Sequence, residues 1–270
     1  MGESARHPQP SWRTSRPRKT TTGKLAGRVA LITGGSRGIG AAIARAFARE
    51  GAQIAFTYHR RDDAARGVVA EIERGGGEAI AIQADAADAD DARRAVEQTI
   101  QRYLRINILV NNAGAIGKDY TVRDMPVEEW DRLIGTDLRG VFLATKFALP
   151  YMPTTPVGKI INISSELSRK GRPTQAHYCS AKAGINGFTR ALQLEVGPGI
   201  CVNSLAPGPI ATDLILADMT PEWIEKEKDI LAERLGTVEE IAGPAVMLAS
   251  DEGNFFMGQF ISPNGGAVFT

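Results

Sequence analysis

A tyrosine and a lysine stand four residues apart in Tyr178-x-x-x-Lys182, and Ser165 lies thirteen residues before the tyrosine. On a helix, a spacing of four puts the phenol and the ammonium on one face. A free phenol titrates near ~10 and exchanges protons poorly at neutral pH. An ammonium beside it favours the phenolate and draws that value down, towards what a general acid–base requires. A serine at a strand end has a hydroxyl that can hold a carbonyl oxygen. Taken alone, Tyr178 and Lys182 read more readily as polar residues of an amphipathic surface helix. Ser165 and a glycine-rich motif upstream tip the reading towards proton transfer at a carbonyl or an alcohol.

That motif is Thr33-Gly34-Gly35-Ser36-Arg37-Gly38-Ile39-Gly40. The apolar run Val29-Ala30-Leu31-Ile32 leads into it, and Ala41–Ala48, helical in composition, leads out. Strand, glycine turn and helix together form an anion site: glycines let the backbone approach a pyrophosphate, and the helix N-terminus offers unpaired N–H groups. Such turns also arise for purely local reasons. A grip on a ribose 2′-OH calls for an acid roughly 20 residues after the glycines. Tyr58 occupies that place, and no acid follows until Asp62 and Asp63. Arg37 lies inside the turn instead, and His59, Arg60 and Arg61 follow the strand. A 2′-phosphate calls for such cations, so the dinucleotide expected is NADP(H); at least one of Arg60 and Arg61 is also readable as a solvated surface residue.

The elements that must position these groups follow in alternation. Strands are expected at Arg28–Thr33, Gln53–Thr57, Glu78–Gln83, Ile106–Val110, Lys159–Ile163, Val202–Leu205 and Gln259–Ser262. The first is apolar throughout, as a strand buried on both faces must be. Helices are expected between them. Ile39, Ile43 and Phe47 form one stripe, a charged helix stops at Gly75-Gly76-Gly77, and Asp88 caps the next. Longer helices span Trp130–Met152 and Gln175–Glu195, with further ones near Pro221–Ala232 and Val238–Ala249. The alternation predicts one α/β domain over residues 23–270, a doubly wound parallel sheet of about seven strands with helices on both faces. Ligands of such sheets lie beyond the carboxyl ends of the strands. The motifs fall there, including Asn111-Asn112-Ala113-Gly114, Ser164-Ser165 and Pro207-Gly208-Pro209.

Composition sets wide bounds. The chain has 270 residues, 43% hydrophobic and 23% charged, with net charge +1, ordinary for a globular protein and no footprint for nucleic acid. No apolar run approaches the ~20 residues of a membrane span. Residues 1–22 carry five cations, Arg6, Arg13, Arg16, Arg18 and Lys19, against Glu3, and are expected to be a disordered basic tail. It lacks the apolar core of a secretory signal, and its prolines oppose the amphipathic helix of a transit peptide. Cys179 and Cys201 form no CxxC pattern, so neither a metal site nor a disulfide framework is expected, and a reducing, cytoplasmic setting fits.

The motifs taken together resemble the short-chain dehydrogenase/reductase family, most closely its bacterial 3-oxoacyl-acyl-carrier-protein reductase branch. Thr33-Gly34-x-x-x-Gly38-x-Gly40, Asn111-Asn112-Ala113-Gly114, Ser165, Tyr178-x-x-x-Lys182 and Pro207-Gly208 match in order and spacing from about residue 24 to 268. The resemblance implies a Rossmann fold, a homotetramer built on the two long helices, and an NADP(H)-dependent oxidoreductase acting on a carbonyl or secondary alcohol. It makes Tyr178 the acid in reduction and the base in oxidation. Lys182 lowers the phenol's pKa and binds the nicotinamide ribose, and Ser165 orients the substrate oxygen. The cofactor-binding set implied comprises Gly34, Ser36, Arg37, Gly38, Ile39, Gly40, Tyr58, His59, Arg60, Asp85, Ala86, Asn112, Ala113, Gly114, Tyr178, Lys182, Pro207, Gly208, Ile210 and Thr212. Asp85 is the acid that contacts the adenine; the backbone near Ile210 and the hydroxyl of Thr212 hold the carboxamide. Asn111 reads as a structural bond between strands.

Two departures qualify this. The family usually has Asn on the helix after the fourth strand, where this chain has Asp137; the resemblance still counts it among the catalytic groups, holding a water that contacts the lysine. Carrier-protein reductases also tend to carry cations just before the fifth and sixth strands, but those turns read Thr154-Thr155-Pro156-Val157 and Gly197-Pro198-Gly199. A small ketone, sugar or polyol therefore remains the alternative substrate, with Leu214–Ile230 as an apolar lid. A regulator that keeps the fold without catalysis is opposed by the intact Ser165, Tyr178 and Lys182.

Overall fold

The computed structural model describes residues 22–212 and 220–269. The expected tail lies outside these residues apart from Thr22, as do positions 214–219 of the expected lid. One sheet of seven strands orders them β3-β2-β1-β4-β5-β6-β7, with every pair parallel. The strands are β1 (Val29–Ile32), β2 (Gln53–Tyr58), β3 (Glu78–Gln83), β4 (Ile108–Asn111), β5 (Gly158–Ile163), β6 (Ile200–Leu205) and β7 (Phe260–Ile261). β1, β4, β5 and β6 are buried at every residue, because helices cover both faces. Side chains alternate between those faces. Ala30, Ile32, Ile54 and Phe56 pack with Ile43 and Phe47 of α1 (Gly38–Arg49) and with Ile241 and Leu248 of a C-terminal helix, α9 (Glu239–Ala249). Val29, Leu31 and Ala55 point the other way, onto Val96 of α3 (Ala89–Tyr103) and Leu192 of α7 (Ala176–Val196).

Strand order reverses beside β1. β2 leaves towards one edge and β4 towards the other, which opens the crevice at the carboxyl ends where a doubly wound sheet holds its ligand. A buried polar line crosses the sheet beneath that crevice. Asn111, Asn162 and Ser204 stand in register on β4, β5 and β6. Asn111 donates to Asn162 Oδ1 at 2.7 Å, and Asn162 Nδ2 and Ser204 Oγ both bond the Thr189 hydroxyl at 2.9 Å. The expected structural bond at Asn111 is therefore present, and the line ties α7 to the strands.

Helix boundaries depart from expectation in three places. The stretch expected as one helix from Trp130 to Met152 begins earlier, as α4 (Val127–Ile134). It then widens into one π-helical turn, Gly135–Arg139, continues as α5 (Gly140–Ala148), and closes with a 3₁₀ turn, Leu149–Tyr151. A π turn admits one extra residue and re-aims its side chains, and here it carries Asp137. A short α6 (Leu167–Lys170) follows β5 and has no apolar period to announce it. Beyond α2 (Asp62–Arg74), which ends at the triple glycine as expected, the last departure is α8 (Pro221–Glu227), which stops before Ala232. Arg172 holds α8 down, pairing with Glu227 and lying over the Trp223 ring at 5.7 Å.

Candidate active site

Ser165, Tyr178, Lys182 and Asp137 come from three separate elements and meet at one wall of a cleft of about 710 Å³. Ser165 follows the last residue pair of β5, and Tyr178 and Lys182 project from one face of α7. Asp137 reaches them from the π turn and is fully buried. Its Oδ1 accepts from the Ala115 N–H at 2.8 Å, and its Oδ2 lies 3.1 Å from Lys182 Nζ. Lys182, itself buried, also donates to the Ile163 carbonyl at 3.3 Å and sits 5.5 Å from the Tyr178 ring centre. Asp137 thus caps local backbone with one oxygen and meets the lysine with the other. Gly114 leaves room for this pair, since a Cβ there would come within 2.9 Å of Asp137 Oδ2.

Titration follows from that packing. Burial by itself disfavours the Lys182 ammonium, but the Asp137 carboxylate and Tyr178 outweigh it and hold the lysine above its ordinary value. Burial pushes the Tyr178 phenol up; Lys182 pulls it down, Asp137 pushes it up again, and the net is a phenol above its ordinary value. The lowering expected from the lysine is therefore present as one contribution, exceeded by desolvation.

The rest of the cleft is shaped for a dinucleotide. Gly34 has φ +68°, and a Cβ on it would lie 2.9 Å from Ala113 Cα; on Gly40 it would lie 2.3 Å from the Gly34 carbonyl oxygen. Only glycine allows the turn to close so tightly. Asn112 Nδ2 donates to the carbonyls of Thr33 and Gly34, both at 2.9 Å, and Thr33 Oγ1 accepts from the N–H of Asn112 and of Ala113. The turn and the end of β4 are thereby stitched into one cradle. Arg37 precedes α1 in an extended conformation and makes no capping bond, and no acid sits in the first turn. The helix leaves its N-terminal N–H groups open to an anion. Arg37, Ser36, His59, Arg60, Arg61, Asp85 and Ala86 line the cleft, together with Pro207, Gly208, Ile210 and Thr212. Asp62 is occupied by the Tyr58 hydroxyl at 2.8 Å and by Arg66, and Asp63 by Arg61. Neither Asp62 nor Asp63 lines the cleft, while Arg37 and Arg60 have no carboxylate partner among the described residues. The donor set fits a dinucleotide carrying an extra phosphate.

Every residue singled out from the sequence as catalytic or cofactor-binding lies on this one cleft. Thr57, Ile116, Arg132 and Thr136 line it too, and carry no signal in the sequence. Glu166, behind Ser165, carries no mark in the sequence beyond being an acid directly after the serine.

A parallel sheet with a phosphate-binding turn after β1 and a tyrosine–lysine pair facing it defines a nucleotide-dependent oxidoreductase. The short chain dehydrogenase profile matches residues 28–222, and the chain belongs to the short-chain dehydrogenase/reductase family. It is 42% identical over 246 residues to a 3-oxoacyl-[acyl-carrier-protein] reductase of Synechocystis sp., covering 90% of this chain and 98% of that one. A metagenomic blue fluorescent protein solved in complex with NADPH is 39% identical, with TM-score 0.85 and coverage of 91% and 100%. A Burkholderia cenocepacia short-chain dehydrogenase solved with NADP is 34% identical, with TM-score 0.85 and coverage of 90% and 99%. The protein is accordingly an oxidoreductase of CH–OH or carbonyl groups that takes a nicotinamide cofactor. No helix among the described residues is long and apolar enough to cross a membrane.

Proposed function

We propose that this protein is an NADPH-dependent carbonyl reductase that uses Ser165, Tyr178 and Lys182, with 3-oxoacyl thioesters as its substrate class. The observation that carries the reading is the convergence of those three side chains and Asp137 on the one cleft that the cations Arg37 and Arg60 also line. A nicotinamide held in this cleft would supply the hydride chemistry at the carbonyl carbon. The protein's part is the proton and the oxygen. Tyr178 Oη gives its proton to the carbonyl oxygen as the alcohol forms, and takes it from the alcohol in reverse. Lys182 steadies the phenolate left behind, and Ser165 holds the oxygen in place. The open N-terminus of α1 receives the pyrophosphate, and Arg37 with Arg60 the 2′-phosphate.

The substrate class is supported by the printed activity of the Synechocystis relative. One observation favours a free ketone or small thioester over a carrier-bound one. The turns before β5 and β6 present no cation, and Lys159, at the start of β5, is buried with its ammonium on Asn254 Oδ1 at 2.7 Å. An acidic carrier finds no charge there to steer it. NADPH absorbance, followed with a 3-oxoacyl thioester in free and carrier-bound form and with simple ketones, tests both levels. Turnover is expected with the free thioester; equal preference for the carrier-bound form would reverse the second point. Tyr178→Phe is expected to lose at least ~10²-fold in turnover while still binding NADPH, as the loss of a proton-transfer group requires. A variant keeping a tenth or more of the rate would end the mechanism.

A further inference from the structure

Ser165 is followed by an acid that nothing in the mechanism above uses. Glu166 is 5% exposed and is held firmly: its N–H donates to the Pro207 carbonyl at 3.0 Å, and its own carbonyl accepts from the N–H groups of Arg169 and Lys170 at the end of α6. Glu166 Oε2 lies 2.8 Å from Ser165 Oγ and accepts from the Leu167 N–H at 3.1 Å. The same N–H reaches Ser165 Oγ at 3.1 Å, and Ser165 stands close enough to Tyr178 to pull against the rise of its phenol.

A hydroxyl has one proton to donate. With Glu166 ionised, the Ser165 proton goes to the carboxylate, and Ser165 turns only lone pairs towards the cleft. A carbonyl oxygen accepts and cannot donate, so it gains nothing there. With Glu166 protonated, the bond reverses: the carboxyl O–H donates to Ser165 Oγ, and the Ser165 proton is free for the carbonyl. Two donors in series also polarise each other.

Resting on the reductase reading, we propose that Glu166 is a positioning residue whose protonation state sets the direction of the Ser165 hydrogen bond, so that Ser165 polarises a substrate carbonyl only while Glu166 holds a proton. Several charges bear on it. Arg172 faces it from the loop before α7, but that guanidinium is already paired with Glu227 of α8. Tyr178 and Cys179 face it from α7, with Lys182 and Asp137 beyond the tyrosine, and Arg169 and Lys170 share its own short helix. Burial, only partly offset by Ser165, Leu167 and Arg172, holds the carboxyl above its ordinary range.

The test is the pH profile of ketone reduction by NADPH between about pH 5 and about pH 8, where a buried carboxyl can titrate and the raised phenol stays protonated. Wild-type kcat is expected to fall about tenfold as the pH rises, less than the ~10²–10³-fold of a lost oxyanion donor, because Tyr178 still reaches the oxygen. E166Q and E166V, which hold no proton to lose, are expected to show no such fall and to exceed the wild type at the alkaline end. Parallel profiles in wild type and variants overturn the proposal. A second readout needs neither cofactor nor substrate. The infrared difference between wild type and E166Q, or E166V should the first not fold, is expected to contain one protonated-carboxyl band that titrates at the kinetic midpoint. A difference spectrum with no band titrating in that range overturns the proposal whatever the activity. A wild-type protein inert towards every carbonyl tried ends the reductase reading instead, and the infrared result separates the two failures.

Discussion

Asp137 differs from the asparagine usual in the family by one atom and one charge, and that charge meets the lysine at 3.1 Å in a fully buried position. A carboxylate there stabilises the Lys182 ammonium and opposes the Tyr178 phenolate, and both directions are present in the site. Since Asp137 raises the phenol, removing its charge lowers it. Asp137→Asn is therefore expected to move the rise of alcohol oxidation to lower pH, with NADPH affinity little changed. The two groups titrate as a coupled pair, so the shift is read as an apparent value. An unmoved oxidation profile in a folded variant would reduce Asp137 to a backbone cap. On the same cleft, Arg37 has no carboxylate partner among the described residues, so its guanidinium is available to an anion. Arg37→Ala is expected to weaken NADPH binding by ~1.5–3 kcal/mol, the worth of hydrogen bonds to a charged group, and to leave NADH nearly unchanged. Titrating both nucleotides by fluorescence checks this, and equal losses would remove the 2′-phosphate from the account.

Among the elements, the glycine turn depends most on the absence of atoms. A methyl on Gly40 would meet both the Gly34 carbonyl oxygen at 2.3 Å and Asn112 Nδ2 at 2.4 Å, the amide that locks the turn to β4. Neither partner can move without breaking the cradle. Gly40→Ala is expected to cost ~1–3 kcal/mol, as overpacking does, and to depress NADPH affinity as well. Thermal melts with and without the nucleotide measure the two effects, and an unchanged Tm would show that the turn relaxes. The π turn at Gly135–Arg139 works in the opposite sense: an extra residue swings Asp137 into the site.

For the whole molecule, apolar side chains remain exposed along one continuous stretch. Trp130 on α4, Phe142 on α5 and Tyr151 after it are 38%, 46% and 45% exposed. This stretch is one of the two that the family resemblance pairs with copies of the chain. A homotetramer is accordingly expected from light scattering at micromolar concentration, and a monomer would refute it.

Much of this was written in the chain as local pattern. The apolar run of β1, the stripe of α1 and the Asp88 cap are each decided within a few residues, so the strands and the parallel sheet were legible. The catalytic spacing was legible too, because one helical turn separates Tyr178 from Lys182 whatever surrounds them. Three features were decided only by the tertiary structure. The π turn arises where α4 and the turn itself pack against α7, and no period of the sequence marks it. The net direction of the Tyr178 titration depends on how deeply the phenol is desolvated, which outweighs the adjacent ammonium. The bond from Ser165 to Glu166 exists because the Pro207 carbonyl and α6 turn the acid inward. Spacing along the chain tells which groups can share a face; burial and orientation, which set their charge and their hydrogen bonds, are properties of the folded whole.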